Sequence, residues 1–127
     1  MTNFESEQFF KQLKDGVSGL PSDAKDRILK QVNGLFQFDI TNSEGVTKIW
    51  TLDLKAGTAT AGSLVEGPIS GRRPDVILKM TDENFAKMAR GELNGQKAFM
   101  AGQLKVRGKI VLATKLDTIL KTVRAAA

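Results

Sequence analysis

The apolar residues of this chain change their spacing partway along and later change back, and those switches confine it to a fold mixing helices with strands. Phe9, Phe10, Leu13, Val17 and Leu20 recur at helical spacing, which predicts an amphipathic helix over residues 5–16. Gly16 and Gly19 loosen its end, and Pro21 stops it because proline has no amide hydrogen to donate. Ser22 is placed to cap a second helix, with Asp23 at the end its dipole favours and Ala24, Ile28, Val32 and Leu35 facing inward. Asn33-Gly34 closes it.

From Phe36 the period is two. Phe36, Phe38 and Ile40 alternate with Gln37, Asp39 and Thr41; past the turn residues Asn42-Ser43-Glu44-Gly45, Trp50, Leu52 and Leu54 alternate with Thr51, Asp53 and Lys55. These runs predict a hairpin with Asp39 and Asp53 on its outward face. Thr58 to Leu64 reads as a weaker third strand, and Asp75 to Met80 as a fourth with Val76, Leu78 and Met80 on one face. The Gly- and Pro-rich stretch between them, Glu66 to Pro74, is the segment expected to move most. The helical period returns at Thr81, the expected cap of a helix with Asp82 and Glu83 in its first turn and Phe85, Met88 and Ala89 inward. Asn94 is placed to cap a short helix carrying Phe99 and Met100, and Leu104 with Val106 marks a fifth strand. Leu112, Leu116, Ile119, Leu120 and Val123 stripe a last helix reaching about Arg124. The first strands connect too tightly for parallel crossovers. The expectation is therefore an α+β domain, a five-stranded mainly antiparallel sheet covered by about five helices, in one unit over residues 1–127.

What is missing narrows the chemistry. The chain has no Cys, no His and no Tyr, which removes thiol nucleophiles, the usual general base, and every zinc site built on Cys or His. Absence of Cys suits a reducing compartment, and no stretch approaches the roughly 18 apolar residues of a membrane span. Residues 1–13 do not form the basic-then-apolar pattern of a secretory signal, so an intracellular location is expected. Asp82 and Glu83 are explained by capping and no Ser–Lys or Asp–Asp pair stands out, so no catalytic residue and no metal ligand is assigned. Gly102 to Lys109 has five residues between its glycines and Ile110 after the lysine, which departs from a phosphate-binding loop.

Charge is uneven. Residues 1–68 hold 7 Lys/Arg against 9 Asp/Glu (−2), and residues 69–127 hold 12 against 5 (+7). A basic second half fits an anionic partner, although a solvated face with surplus Lys explains it as well. The aromatics Phe9, Phe10, Phe36, Phe38, Trp50, Phe85 and Phe99 all fall on inward stripes, leaving Phe4 outside them. Lys105, Arg107 and Lys109 thus have no stacking partners for single-stranded nucleic acid, and no nucleic-acid partner is expected.

Three segments, in this order and spacing, resemble the sterol carrier protein 2 family of non-specific lipid-transfer domains: Trp50-Thr51-Leu52-Asp53-Leu54-Lys55; Asp75-Val76-Ile77-Leu78-Lys79-Met80-Thr81 with Phe85 and Gly91; and Phe99-Met100-Ala101-Gly102-Gln103-Leu104-Lys105-Val106-Arg107-Gly108. The resemblance covers nearly the whole chain. It implies an apolar tunnel between sheet and helices that takes up fatty acids, fatty acyl-CoA, sterols or phospholipids, with no cofactor and no catalysis. Burying about 16 methylenes gives on the order of 13 kcal/mol gross. Association and ordering consume much of that, so micromolar binding needs no specific polar anchor.

On this resemblance the wall is expected at Phe38, Trp50, Leu52, Val76 and Leu78 of the sheet and at Phe85, Met88, Phe99, Met100, Leu112, Leu116, Ile119 and Leu120 of the later helices, the last helix acting as a lid. Arg72, Arg73, Lys105, Arg107 and Lys109 are expected to meet headgroups, CoA phosphates or an anionic membrane surface. The alternative is an accessory domain that holds a hydrophobic intermediate for partner enzymes. Lys109 replaces the Asn common in the family, which puts local capping in question. The end Ala125-Ala126-Ala127 departs from the Ser-Lys-Leu-like tripeptide of many eukaryotic members, so peroxisomal and cytoplasmic locations both stay open.

Overall fold

The computed structural model describes residues 4–57, 61–68 and 71–126, with backbone only at 123–126. Along the chain run α1 (Ser6–Ser18), α2 (Ser22–Val32), β1 (Gly34–Thr41), β2 (Thr47–Leu54), β3 (Ser63–Glu66), β4 (Val76–Thr81), α3 (Asp82–Ala89), α4 (Gly95–Met100), β5 (Leu104–Gly108) and α5 (Ile110–Ala126). The strands form one sheet in the order β3-β2-β1-β4-β5. β1, β2 and β3 make the expected antiparallel meander, in which Phe38 lies opposite Trp50 and Leu52 opposite Leu64.

β4 decides the topology. It joins the free edge of β1 in parallel, Phe36 beside Val76 and Phe38 beside Leu78, and β5 then pairs antiparallel with it. A parallel neighbour requires a crossing connection. The connection from β3 to β4 provides it, and its described residues 67–68 and 71–75 bond to the sheet on the face away from the helices. The Gly67 amide donates to Ile49 O at 2.7 Å, and Thr51 Oγ donates to Gly67 O at 2.7 Å. Arg72 meets Asp53 at 2.7 Å, while the Asp75 carboxylate accepts from the Leu35 amide at 2.9 Å. The stretch expected to move most is therefore tied down by directional bonds at both described ends. Leu35, Thr51 and Asp53 are buried there, so the outward face expected for Asp53 is a covered one. Asp39 stays partly exposed.

The opposite face carries the helices. Phe10, Leu13 and Val17 of α1, Ile28 and Val32 of α2, Phe85 and Met88 of α3, and Leu112, Leu116, Ile119 and Leu120 of α5 close on Phe36, Phe38, Ile40, Leu52, Val76 and Leu78 in one cluster. At its centre Phe10 stacks between Phe85 (4.2 Å between centroids) and Trp50 (4.7 Å), with Phe38 edge-on at 5.4 Å. A Cβ added to Gly34 would come within 2.7 Å of Leu112 Cδ1, so that glycine lets the start of α5 settle against β1. Val123, expected on the α5 stripe, lies outside the described side chains.

Local departures have local causes. α1 continues through Gly16 to Ser18, since its buried Val17 anchors the final turn. Pro21 occupies the N-cap position of α2, and Ser22 makes no capping bond. Asn33 ends that helix in the left-handed region (φ 44°), a conformation Asn tolerates better than most residues. β3 starts at Ser63, later than the expected Thr58, whose residues 58–60 lie outside the described ones.

Candidate functional site

Between the first turns of α1 and the β2–β3 edge opens a cleft of about 620 Å³. Phe4, Phe10, Trp50 and Leu64 supply its apolar surface, while Glu5, Glu7, Gln8, Lys11 and Lys14 form the polar part. Helical spacing puts Phe10 on the underside of α1, and the strand period puts Trp50 on the helix-facing side of β2. The cleft floor is thus the edge of the central aromatic cluster, in which Trp50 packs on Phe10, and Phe10 in turn on Phe38 and Phe85. Lys48 lies beside two of the cleft's rings. Its ammonium lies 5.0 Å from the Trp50 ring centroid and 5.7 Å from that of Phe4, and it pairs with Glu7 at 3.2 Å and Glu66 at 3.3 Å. Burial alone lowers the Lys48 pKa, but the two carboxylates outweigh it and hold the group above its ordinary value. Trp50 Nε1 is buried without a hydrogen-bond partner, as are Ser6 Oγ and Ser63 Oγ.

The structure sorts the expected wall residues into two groups. Phe38, Leu52, Val76, Leu78, Phe85, Met88, Leu112, Leu116, Ile119 and Leu120 come together in the buried cluster, and half-buried Trp50 packs against it. Phe99 and Met100 do not join them, being 43% and 78% exposed. The six-residue α4 turns Gly95 and Ala98 inward, and this leaves Phe99 and Met100 on its outer side, a correction to their inward placement. Phe4, left outside the inward stripes, packs against the cluster and lines the cleft. A lone Phe ahead of the first periodic stripe gave no spacing signal, and Leu64 lay in the weakest of the expected strands.

Of the expected headgroup cations, Arg72 is engaged by buried Asp53, whereas Arg73, Lys105 and Arg107 are exposed. Lys109 is also exposed and lies 3.9 Å from Asp75. The less exposed carboxylates hold the fold together. Asp82 accepts from the Glu5 and Ser6 amides at 2.7 Å each, so it caps α1 across the molecule, while Thr81 caps α3, its own helix. Asp117 takes the Gly95 amide at the start of α4, at 3.0 and 3.1 Å. Among the described residues no cluster of three acids could hold a metal ion, and no helix is long and apolar enough to cross a membrane.

An α+β domain with helices on one sheet face, a crossing connection on the other and an apolar cleft at the edge defines a class of small carrier-like domains. Residues 10–121 match the SCP-2 sterol transfer family, and the chain belongs to that family. It is 34% identical over 121 residues to "Fatty acid-binding protein" of Yarrowia lipolytica, covering 93% of this chain and 90% of that one. The apo form of sterol carrier protein 2 from Yarrowia lipolytica superposes with a TM-score of 0.83 at 32% identity, over 97% of this chain and 94% of that one. Over 94 residues (74% of this chain) it is 42% identical to the mouse (Mus musculus) peroxisomal multifunctional enzyme type 2, of which it spans only 12%.

Proposed function

We propose that this domain binds hydrophobic lipids without selectivity and transfers them inside the cell, and that it performs no reaction on them. Fatty acids, fatty acyl-CoA, sterols and phospholipids are the ligand class. The observation that carries this reading is the 620 Å³ cleft, whose aromatic floor continues into the apolar interior. Such a volume lies within the roughly 300–1,000 Å³ of small-molecule sites. The alkyl chain enters past Phe4, Trp50 and Leu64 and lies among the clustered wall residues, with α5 as the far wall and lid. The unpartnered Trp50 N–H is a donor that a carboxylate or hydroxyl can satisfy. Headgroups and an anionic membrane surface are met by exposed cations. The name of the Yarrowia relative supports the ligand class, and the mouse relative's name supports a peroxisomal over a cytoplasmic site.

The test is competition between a fluorescent fatty acid and unlabelled fatty acids of increasing length, followed also through the emission of the single Trp. Affinity rises with chain length, by up to about fourfold per added methylene. Binding indifferent to length would remove the apolar site from consideration. A second reading, an accessory domain that holds a hydrophobic intermediate for partner enzymes, is favoured by the match to a small part of a multifunctional enzyme. Lipid exchange between donor and acceptor vesicles separates the two, because a holder binds but transfers slowly.

A further inference from the structure

Phe99, Met100, Ile110 and Val111 are 43%, 78%, 55% and 60% exposed, and they account for four of the six large apolar side chains found exposed among the described residues. The other two, Val46 and Val65, lie apart in sequence, whereas these four are two adjacent pairs, one at the end of α4 and one at the start of α5, two helices that pack together. Phe99 and Ile110 line one small depression there together with Gly95, Ala113 and Thr114. The corner is held in place. Asn94 Oδ1 accepts from the Lys97 amide, Asp117 accepts from the Gly95 amide, and the Lys109 amide donates to Asp75 O. Their exposure therefore belongs to a braced corner. Single exposed apolar residues need no explanation, but a contiguous group marks a surface that meets something apolar.

Charge identifies what it meets. Residues 93–116 carry Lys97, Lys105, Arg107, Lys109 and Lys115 and not one Asp or Glu. Lys97, Lys105, Arg107 and Lys109 are exposed. The cleft rim, by comparison, mixes Glu5 and Glu7 with Lys11 and Lys14. We infer that the α4–β5–α5 corner is a membrane-docking face, with Met100, Phe99, Ile110 and Val111 entering the interfacial region of an anionic bilayer and the flanking cations meeting lipid phosphates. A protruding apolar group beside same-sign charge supplies the two weak signals that together give reversible membrane attachment. The inference rests on the lipid-carrier reading and adds to it the face that approaches the donor membrane.

The chain has no Cys, so Met100→Cys introduces a unique thiol for an environment-sensitive dye; Glu44→Cys in the hairpin turn and Gln12→Cys on α1 report other faces. Vesicles of phosphatidylcholine with phosphatidylserine should shift the position-100 dye to the blue, with little effect at 44 or 12 and a smaller shift at high salt. Lys97→Gln should weaken vesicle binding about fivefold. Phe99→Ser/Met100→Ser should weaken it too, and both variants should bind fluorescent fatty acid normally in vesicle-free solution. Three results would overturn the docking face: a shift at position 12 without one at 100, undiminished vesicle binding by both variants, or a position-100 shift produced by self-association without vesicles. Loss of fatty-acid binding in the unmodified protein would instead strike at the carrier reading, since vesicle binding is measured separately.

Discussion

Replacing Asp82 tests the long-range cap that fixes the roof of the cleft. Its carboxylate accepts the Glu5 and Ser6 amides at 2.7 Å each, and the Ser6 amide is buried. Removing a helix cap costs about 0.5–2 kcal/mol. Stranding a buried N–H adds roughly 1–3 kcal/mol, while water reaches the less buried Glu5 amide. Asp82→Ala is thus expected to lower stability by about 3 kcal/mol. Asp82→Asn should lose about half as much, because its amide keeps one accepting oxygen and turns an NH₂ toward the other donor. With a urea m-value of roughly 1.5 kcal/mol/M for a chain of this size, Asp82→Ala moves the unfolding midpoint down by about 2 M at unchanged m. Hydrogen exchange should show the first-turn amides of α1 opening selectively while β1 and β4 keep their protection. A midpoint shift below about 0.3 M, or faster exchange spread evenly over the sheet, would refute the cap.

Three further outcomes follow from other residues. Arg72→Ala leaves the buried Asp53 carboxylate without its guanidinium and should cost about 2–4 kcal/mol in urea unfolding, of which an Asp53→Leu/Arg72→Leu pair regains most. Gly108→Ala should cost more than about 3 kcal/mol by the same measurement, since φ is +97° and the new Cβ would lie 2.4 Å from the backbone oxygen of Asp75. Because folding raises the Lys48 pKa, its contribution is complete below the unfolded value of 10.5 and is lost as pH climbs through the raised folded value. Thermal melts from pH 9 to 12 should therefore show a steeper decline for the unmodified protein than for Lys48→Met, and less so at high salt.

The elements were legible because each buries one face, and burial writes a period into the sequence. Phe36, Phe38 and Ile40 on β1 and Leu112, Leu116 and Ile119 on α5 announced both their structure and their inward side. Period says nothing of who pairs with whom over long separations. The parallel seating of β4 on β1 depends on a crossing connection, and the bonds that fix its described parts join Asp53 to Arg72 and Thr51 to Gly67, pairs that no local spacing connects. Asp53 alternated with Leu52 and Leu54 as an outward residue should; nothing local showed that its outward face would be covered. Asp82 misled for a related reason: its place in the first turn of α3 was sufficient explanation, yet it serves α1. α4 is too short for a period to separate its faces, which is why Phe99 and Met100 read as inward. The candidate site was half legible, with Trp50 readable from its strand and Phe4 only from the folded chain.

The two sheet faces are held by different forces, and that difference bears on the proposed function. On the crossed face, register depends on directional partners at fixed distances, Arg72 on Asp53 and Asp75 on the Leu35 amide. A guest there would orphan buried polar groups at roughly 1–3 kcal/mol each. On the helix face the contacts are apolar and nearly interchangeable: an alkyl chain that displaces Phe10 from Trp50 replaces one apolar contact with another. The cost of admitting it is the rearrangement, not unpaired polar atoms. Discrimination between ligands needs buried groups that a wrong ligand leaves unsatisfied. The described helix-facing interior offers few, chiefly the Trp50 N–H and the Ser6 hydroxyl. Its ligand preference should accordingly follow length and volume, with small effects from the headgroup. A sterol and a fatty acid of matched buried area should compete within about tenfold of each other, and a preference of a thousandfold would mean that a polar anchor, not the apolar interior, governs binding.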